Sequence, residues 1–99
     1  KKLKYCENIY WIYGLVLKNK SRYKVESLRK KLLMRGIETR NFFWPLNKQP
    51  VLNKMGYFKN KKFPTSEYLS KNGFYIPTGL ALKKEDQDYV IKNICEIID

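Results

Sequence analysis

The sequence predicts an α+β fold: a two-layer sandwich in which a small antiparallel or mixed three-stranded sheet carries helices on one face, in the order β-α-β-loop-α-β-α. Three observations lead there. Short runs rich in aromatic and β-branched residues are interleaved with stretches of helical periodicity. The chain has 99 residues and is 43% hydrophobic, enough for one modest core and a single domain. Few strands with helices between and after them favour one sheet covered on one side.

The elements follow in order. Residues 9–17, IYWIYGLVL, read as a buried strand. Lys18-Asn19-Lys20 is a polar turn, and Ser21 is placed to cap the helix after it. From Arg22 to Arg35, Val25, Leu28, Leu32 and Leu33 recur at helical spacing, and Gly36 stands where a left-handed terminator belongs. A second strand runs from Ile37 to about Phe43, with Thr39, Asn41 and Phe43 expected on one side and Arg40 and Phe42 on the other. Residues 44–62 hold Pro45, Pro50 and Gly56 without a sustained period. They read as a long connection with a short helical turn near Val51–Met55, and connections of that length are often functional. Pro64 suits the first turn of a helix ending at Asn72-Gly73, and Phe74-Tyr75-Ile76 is a short strand stopped by Pro77. The last helix, about Lys84 to Ile98, places Val90, Ile91, Ile94, Cys95, Ile97 and Ile98 on one broad face.

Composition narrows the function. No apolar run reaches the roughly 20 residues of a membrane helix. The opening KKLKYC, followed by Glu7 and Asn8, does not resemble a signal peptide, and the chain begins without Met, as a piece of something longer would. With no histidine, zinc chemistry and a Ser-His-Asp triad find no support in this chain. Cys6 and Cys95 are expected as buried free thiols. The net charge of +12 is lopsided: residues 1–62 carry 17 basic side chains against 3 acids, residues 63–99 carry 4 against 6. Such a face attracts polyanions, a nucleotide diphosphate among them. However, 17 of the 21 cations are Lys and only 4 are Arg, whereas base and phosphate readers lean on arginine forks. A stand-alone nucleic-acid-binding module is therefore the alternative reading, and the uniformly apolar run at 9–17 argues against it.

The informative block is GIETRNFFWPLNKQP, residues 36–50, flanked by ENIYWIYGLVL and by FPTSEYLSKNGFYIPTGLALKKED. The ordered set resembles the small domain of DegT-type sugar aminotransferases, closest to the perosamine-synthase branch, and it covers essentially the whole chain. The resemblance implies a fold-type I, pyridoxal-phosphate-dependent homodimer of the cytoplasm, with a role in lipopolysaccharide sugar synthesis. An N-terminal large domain would supply the Schiff-base lysine and most cofactor contacts, so no cofactor is expected on this piece alone. The reaction implied moves an amino group from glutamate to a nucleotide-linked keto-sugar, and this domain closes the active site as its C-terminal part.

No catalytic residue is assigned within the chain. Substrate contacts are expected from Arg40, Phe43, Trp44 and Asn47. Arg40 stands at a strand end beside the long loop, where a guanidinium grips a carboxylate or phosphate with paired bonds; the plain alternative is a surface residue paired with Glu38. Phe42, Phe43 and Trp44 are suited to stacking on a sugar or base, though packing of two of the three in the core is the default. Asn47 stands where relatives often have histidine, keeping a hydrogen-bonding side chain without its charge. Lys83 replaces the usual Thr or Ser cap of the last helix, a local cost of about 1 kcal/mol.

Overall fold

The computed structural model describes residues 4–18 and 21–99. Its elements are β1 (Tyr13–Val16), α1 (Val25–Met34), β2 (Arg40–Asn41), a 3-10 turn (Leu46–Lys48), α2 (Pro50–Lys54), α3 (Pro64–Asn72), β3 (Gly73–Ile76) and α4 (Lys84–Ile98). The sheet is antiparallel throughout, in the order β1-β3-β2, so the last strand in sequence is the central one. This is the expected α+β sandwich, with the short helical turn in the long connection present as α2.

Directly opposed residues share a face of an antiparallel sheet. One row is Leu15, Phe74 and Asn41; the next, on the opposite face, is Gly14, Tyr75 and Arg40. The Phe74 face carries the core. Phe74, Leu28 and Leu32 are fully buried, joined by Val25 and Ile37 and by Val90 and Ile97 of α4. Val25, Leu28 and Leu32 stand three and four residues apart, so they form one stripe of α1. Each such side chain contributes about 1.5–3 kcal/mol by leaving water.

Local signals explain the ends of the elements. Gly36 has φ +73°; its N–H donates to the Leu33 carbonyl (2.9 Å), and the Ile37 N–H donates to the Leu32 carbonyl (3.0 Å). That pair of bonds is a Schellman ending, which returns Ile37 to the core. At α4, the Lys83 backbone N–H donates to the Asp86 carboxylate (3.1 Å), so half of a capping box stands in for the missing cap hydroxyl.

Several expectations are corrected. The run 9–17 is neither all strand nor buried: only Tyr13–Val16 pairs, and Trp11 is 71% exposed. Asn8 Oδ1 accepts from the Tyr10 N–H (2.8 Å), and Tyr10 has φ +51°, a turn that breaks the extended chain before β1. The second strand shrinks from 37–43 to Arg40–Asn41, because Arg29 occupies the Thr39 carbonyl and β3 stops at Ile76 before Pro77. Helix α1 starts at Val25 rather than Arg22, and Ser21 Oγ accepts from the Tyr23 N–H in the preceding turn instead of capping it. The polar turn expected at 18–20 falls partly outside the described residues. Both cysteines are free but exposed. Ile91 and Ile98 are also exposed, since α4 packs on α1 along a narrow stripe rather than a broad face. Of Phe42, Phe43 and Trp44, only Phe42 is partly buried, because these aromatics flank the sheet face that α1 and α4 leave uncovered.

Candidate functional site

Three of the four arginines brace the fold. Arg29 reaches from α1 to the second strand: Nε donates to Thr39 Oγ1 (3.0 Å), NH2 to the Thr39 carbonyl (2.7 Å) and NH1 to Asn41 Oδ1. Arg35, at the end of α1, donates to Asn93 Oδ1 (2.8 Å) and Glu96 Oε2 (2.9 Å) of α4. Arg22 donates to the Ile98 carbonyl (2.7 Å). Arg40 remains. It is exposed and makes no ion pair with Glu38 or any other described carboxylate.

Arg40 projects from the uncovered face in register with Tyr75. The Phe42 ring lies 4.6 Å from that of Tyr75, tilted, and the Phe43 ring 5.5 Å from it, edge-on. Phe42 lies over the sheet itself. A Cβ on Gly73 would meet the Phe42 ring at 2.0 Å, and one on Gly14 would meet it at 2.9 Å. The two glycines make the trough in which this ring lies. Phe43 and Trp44 stay 67% and 62% exposed, while Trp44 Nε1 donates to the Lys48 carbonyl (3.0 Å), which fixes its ring over the 3-10 turn. The face thus presents one unpaired guanidinium beside an aromatic surface.

Asn47 faces a different neighbour. Its Nδ2 donates to Glu67 Oε1 (2.9 Å) on α3, with Lys48 Nζ 3.3 Å from the same carboxylate, and its carbonyl accepts from Asn53 Nδ2 (3.2 Å). The Asn47 bond first, and then Lys48, hold the Glu67 carboxyl below its ordinary pKa. These contacts latch the Pro45–Pro50 turn to α3. The structure therefore joins Arg40 to Phe43 through Tyr75, and Trp44 to Asn47 through the turn.

Tyr75 and Arg29 escaped the sequence reading. Tyr75 is signalled only by alternation, as the outward residue between Phe74 and Ile76. Arg29 follows Leu28 and lies one turn after Val25, on the flank of the buried stripe.

A pyridoxal-phosphate site needs a desolvated lysine and polar groups aimed at the cofactor. Every described lysine is exposed. The buried polar residues, Thr39 and Asn93, are both engaged, with Arg29 and with Arg35 and the Tyr89 carbonyl. No described lysine is desolvated, and neither buried polar side chain is left without a partner. Among the four arginines, only the Arg40 side chain has no described hydrogen-bond or ion-pair partner.

The same sheet and helices recur within solved aminotransferase structures. The chain belongs to the DegT/DnrJ/EryC1/StrS aminotransferase family, which it matches over residues 2–95. It is 35% identical over 74 residues to a pleiotropic regulatory protein of Geobacillus stearothermophilus, covering 74% of this chain and 20% of that protein. Among solved structures, it superposes with a TM-score of 0.76 and 14% identity on a Helicobacter pylori aminotransferase involved in the biosynthesis of pseudoaminic acid, covering 88% of this chain and 23% of that one. For a putative sugar aminotransferase of Streptococcus pneumoniae in its PMP form the TM-score is 0.73 at 20% identity, over 87% and 21% of the two chains. A Brucella abortus aminotransferase of the same family gives 0.66 at 22%, over 88% and 22%. The chain spans about a fifth of the length of these relatives.

Proposed function

We propose that this chain is the C-terminal small domain of a pyridoxal-phosphate-dependent nucleotide-sugar aminotransferase. In this reading the enzyme is a cytoplasmic homodimer that moves an amino group from glutamate to a nucleotide-linked keto-sugar, as perosamine synthases do. The observation that carries it is the family match over nearly all of the chain, joined to a shared fold in which the chain is about a fifth of each neighbour. Pyridoxal phosphate supplies the electron sink and carries the amino group. A larger N-terminal domain, not this chain, holds it.

The residues here have supporting tasks. Arg40, the guanidinium without an internal partner, grips the carboxylate of glutamate or a phosphate of the sugar nucleotide with paired, charge-assisted bonds. Phe43 and Trp44 cover the bound sugar and keep water from the closed site. Asn47 holds the loop to α3 through Glu67 and so sets where Trp44 stands. Glutamate, pyridoxal phosphate and a panel of nucleotide-linked keto-sugars, mixed with the full-length protein, should yield 2-oxoglutarate in repeated turnovers. A protein that releases no 2-oxoglutarate from glutamate, with or without an acceptor, refutes the reading.

A further inference from the structure

Between α1 and the C-terminal end of α4 runs an open groove of ≈ 450 Å³, lined by Tyr23, Lys31, Met34, Arg35, Glu96 and Ile97. It belongs to the helix layer, across the sheet from Arg40. Ile97 is buried, Tyr23 is half-buried, and Met34 is 80% exposed although its side chain is apolar. The charges here are poorly matched. Lys31 and Arg35 stand one helical turn apart on α1, where like charges disfavour each other. Arg35 is compensated on one edge only. All its described bonds leave from NH1, to the Asn93 carbonyl (3.5 Å), Asn93 Oδ1 (2.8 Å) and Glu96 Oε2 (2.9 Å), so Nε and NH2 have no described partner. Lys31 makes no ion pair with any described carboxylate. Its Nζ lies 4.9 Å from the centroid of the Tyr23 ring, and the guanidinium carbon of Arg22 lies 5.1 Å from the same ring. An aromatic face attracts a cation but leaves its charge and its N–H donors available. The ring thus holds the Lys31 ammonium at the groove without neutralising it.

Two cations with spare donors beside apolar surface suit an anion, and Glu96 narrows which one. Its carboxylate lines the same groove and repels a second negative charge, so a phosphate dianion or a dicarboxylate is disfavoured against a monoanion. Tyr23, Met34 and Ile97 offer apolar contact that a bare inorganic ion leaves unused, and the groove falls in the range of about 300–1,000 Å³ usual for small-molecule sites. We infer that this groove binds a small monocarboxylate carried on an aliphatic or aromatic body. The carboxylate meets Lys31 Nζ and the free edge of Arg35 with charge-assisted bonds. The body lies across Tyr23, Met34 and Ile97. Neither the ligand class nor these contacts depend on the aminotransferase reading.

The test follows the Met34 methyl resonance in the full-length protein carrying methyl-labelled methionine, with the signal assigned through Met34→Leu. The titrants are hydrocinnamate and isocaproate, their uncharged primary amides, succinate, inorganic phosphate, and a short peptide ending in a free leucine carboxylate. Hydrocinnamate or isocaproate should shift the Met34 methyl saturably in the millimolar range, ahead of every other titrant. Lys31→Ala should weaken that binding by roughly tenfold, the scale of losing one charge-assisted contact, while Lys31→Arg keeps it within about threefold. Lys30→Ala removes the same charge from α1 outside the groove, and Arg40→Ala removes one from the far face of the sheet; each should change binding by less than about twofold. Lys31 is exposed and holds no other element, so thermal melts of its variants should match the wild type. A Met34 methyl that no carboxylate shifts saturably overturns the inference. Equal weakening by Lys31→Ala and Lys30→Ala does so too, because it reduces the effect to the general field of the protein. Tighter binding of an amide, of succinate or phosphate, or of the peptide refutes the ligand class.

Discussion

Replacing Arg29 should weaken the fold more than replacing any other charged residue. Its guanidinium gives two bonds to Thr39, one to the hydroxyl at 3.0 Å and one to the carbonyl at 2.7 Å, and Thr39 is only 7% exposed. A hydrogen bond to a charged group contributes about 1.5–3 kcal/mol, and leaving a buried acceptor unpaired costs about 1–3 kcal/mol. The third bond, to exposed Asn41, adds little because water replaces it. Removing the side chain also admits water to part of the vacated space, which returns some of the loss. Arg29→Met, which keeps the aliphatic stem packed, should therefore cost about 2–4 kcal/mol, against a typical total of about 5–15 kcal/mol. Arg29→Lys should recover less than half, because a point charge cannot serve both Thr39 acceptors in the geometry of the fork. Urea unfolding followed by tryptophan fluorescence reads this directly, with a lowered midpoint and an unchanged slope. Thr39→Val in the Arg29→Met background should cost less than in the wild type, since the hydroxyl then has no partner to lose. A loss below about 0.5 kcal/mol for Arg29→Met, the range of an ordinary surface change, would refute the bracing role.

Three other outcomes follow from the same geometry. Gly73→Ala should destabilise by more than about 1–3 kcal/mol, the usual range for overpacking, because the new Cβ would sit 2.0 Å from the Phe42 ring and 2.6 Å from the Leu69 carbonyl. Phe42→Ala should rescue it only partly, since the backbone clash remains, and thermal melts of the single and double variants check this. Glu67 is held below its ordinary 4.5 by Asn47 and Lys48, so the stability its latch contributes is fully present above 4.5 and lost as pH falls through the lower, folded value. Acid titrations of wild type and Glu67→Gln should diverge in that window and run parallel above it; parallel curves throughout would count against the latch. On the proposed aminotransferase function, Arg40→Ala in the full-length protein should raise the Michaelis constant for glutamate or the sugar nucleotide by roughly tenfold, with Arg40→Lys recovering part. Unchanged kinetics with stability intact would make Arg40 an ordinary surface residue.

What the sequence made legible depended on how local the cause was. The end of α1 at Gly36, the start of α3 at Pro64 and the span of α4 rest on caps and periodicity within a few residues, and they stand where the pattern puts them. The strands do not, because strand length belongs to the pair. Residues 9–12 have strand composition but no partner, and residues 37–39 lose their ladder to a side chain ten positions upstream. The candidate site divides the same way. The scarcity of arginine singled out Arg40, whereas the contact of Asn47 with Glu67, twenty residues away, had no signal along the chain.

The two kinds of cation in this protein do different work, and the division bears on function more than the net charge does. Arginine supplies structure. Arg22, Arg29 and Arg35 each tie one element to another through donors that lysine's single ammonium cannot match. Lysine supplies field. It is exposed at every described position, and its ion pairs, at Lys48, Lys84 and Lys92, are confined to the surface. Against that pattern Arg40 is the exception, a fork with no described ion-pair partner, aligned with Tyr75 on the face that α1 and α4 leave open. A protein that used arginine only as a brace would gain nothing from a fourth at this position, and lysine would keep an exposed strand soluble as well. The placement makes sense if the partner of Arg40 lies outside these 99 residues. On the proposed function, that partner is a planar carboxylate or a phosphate held against the uncovered aromatic face, which a guanidinium meets with two parallel bonds.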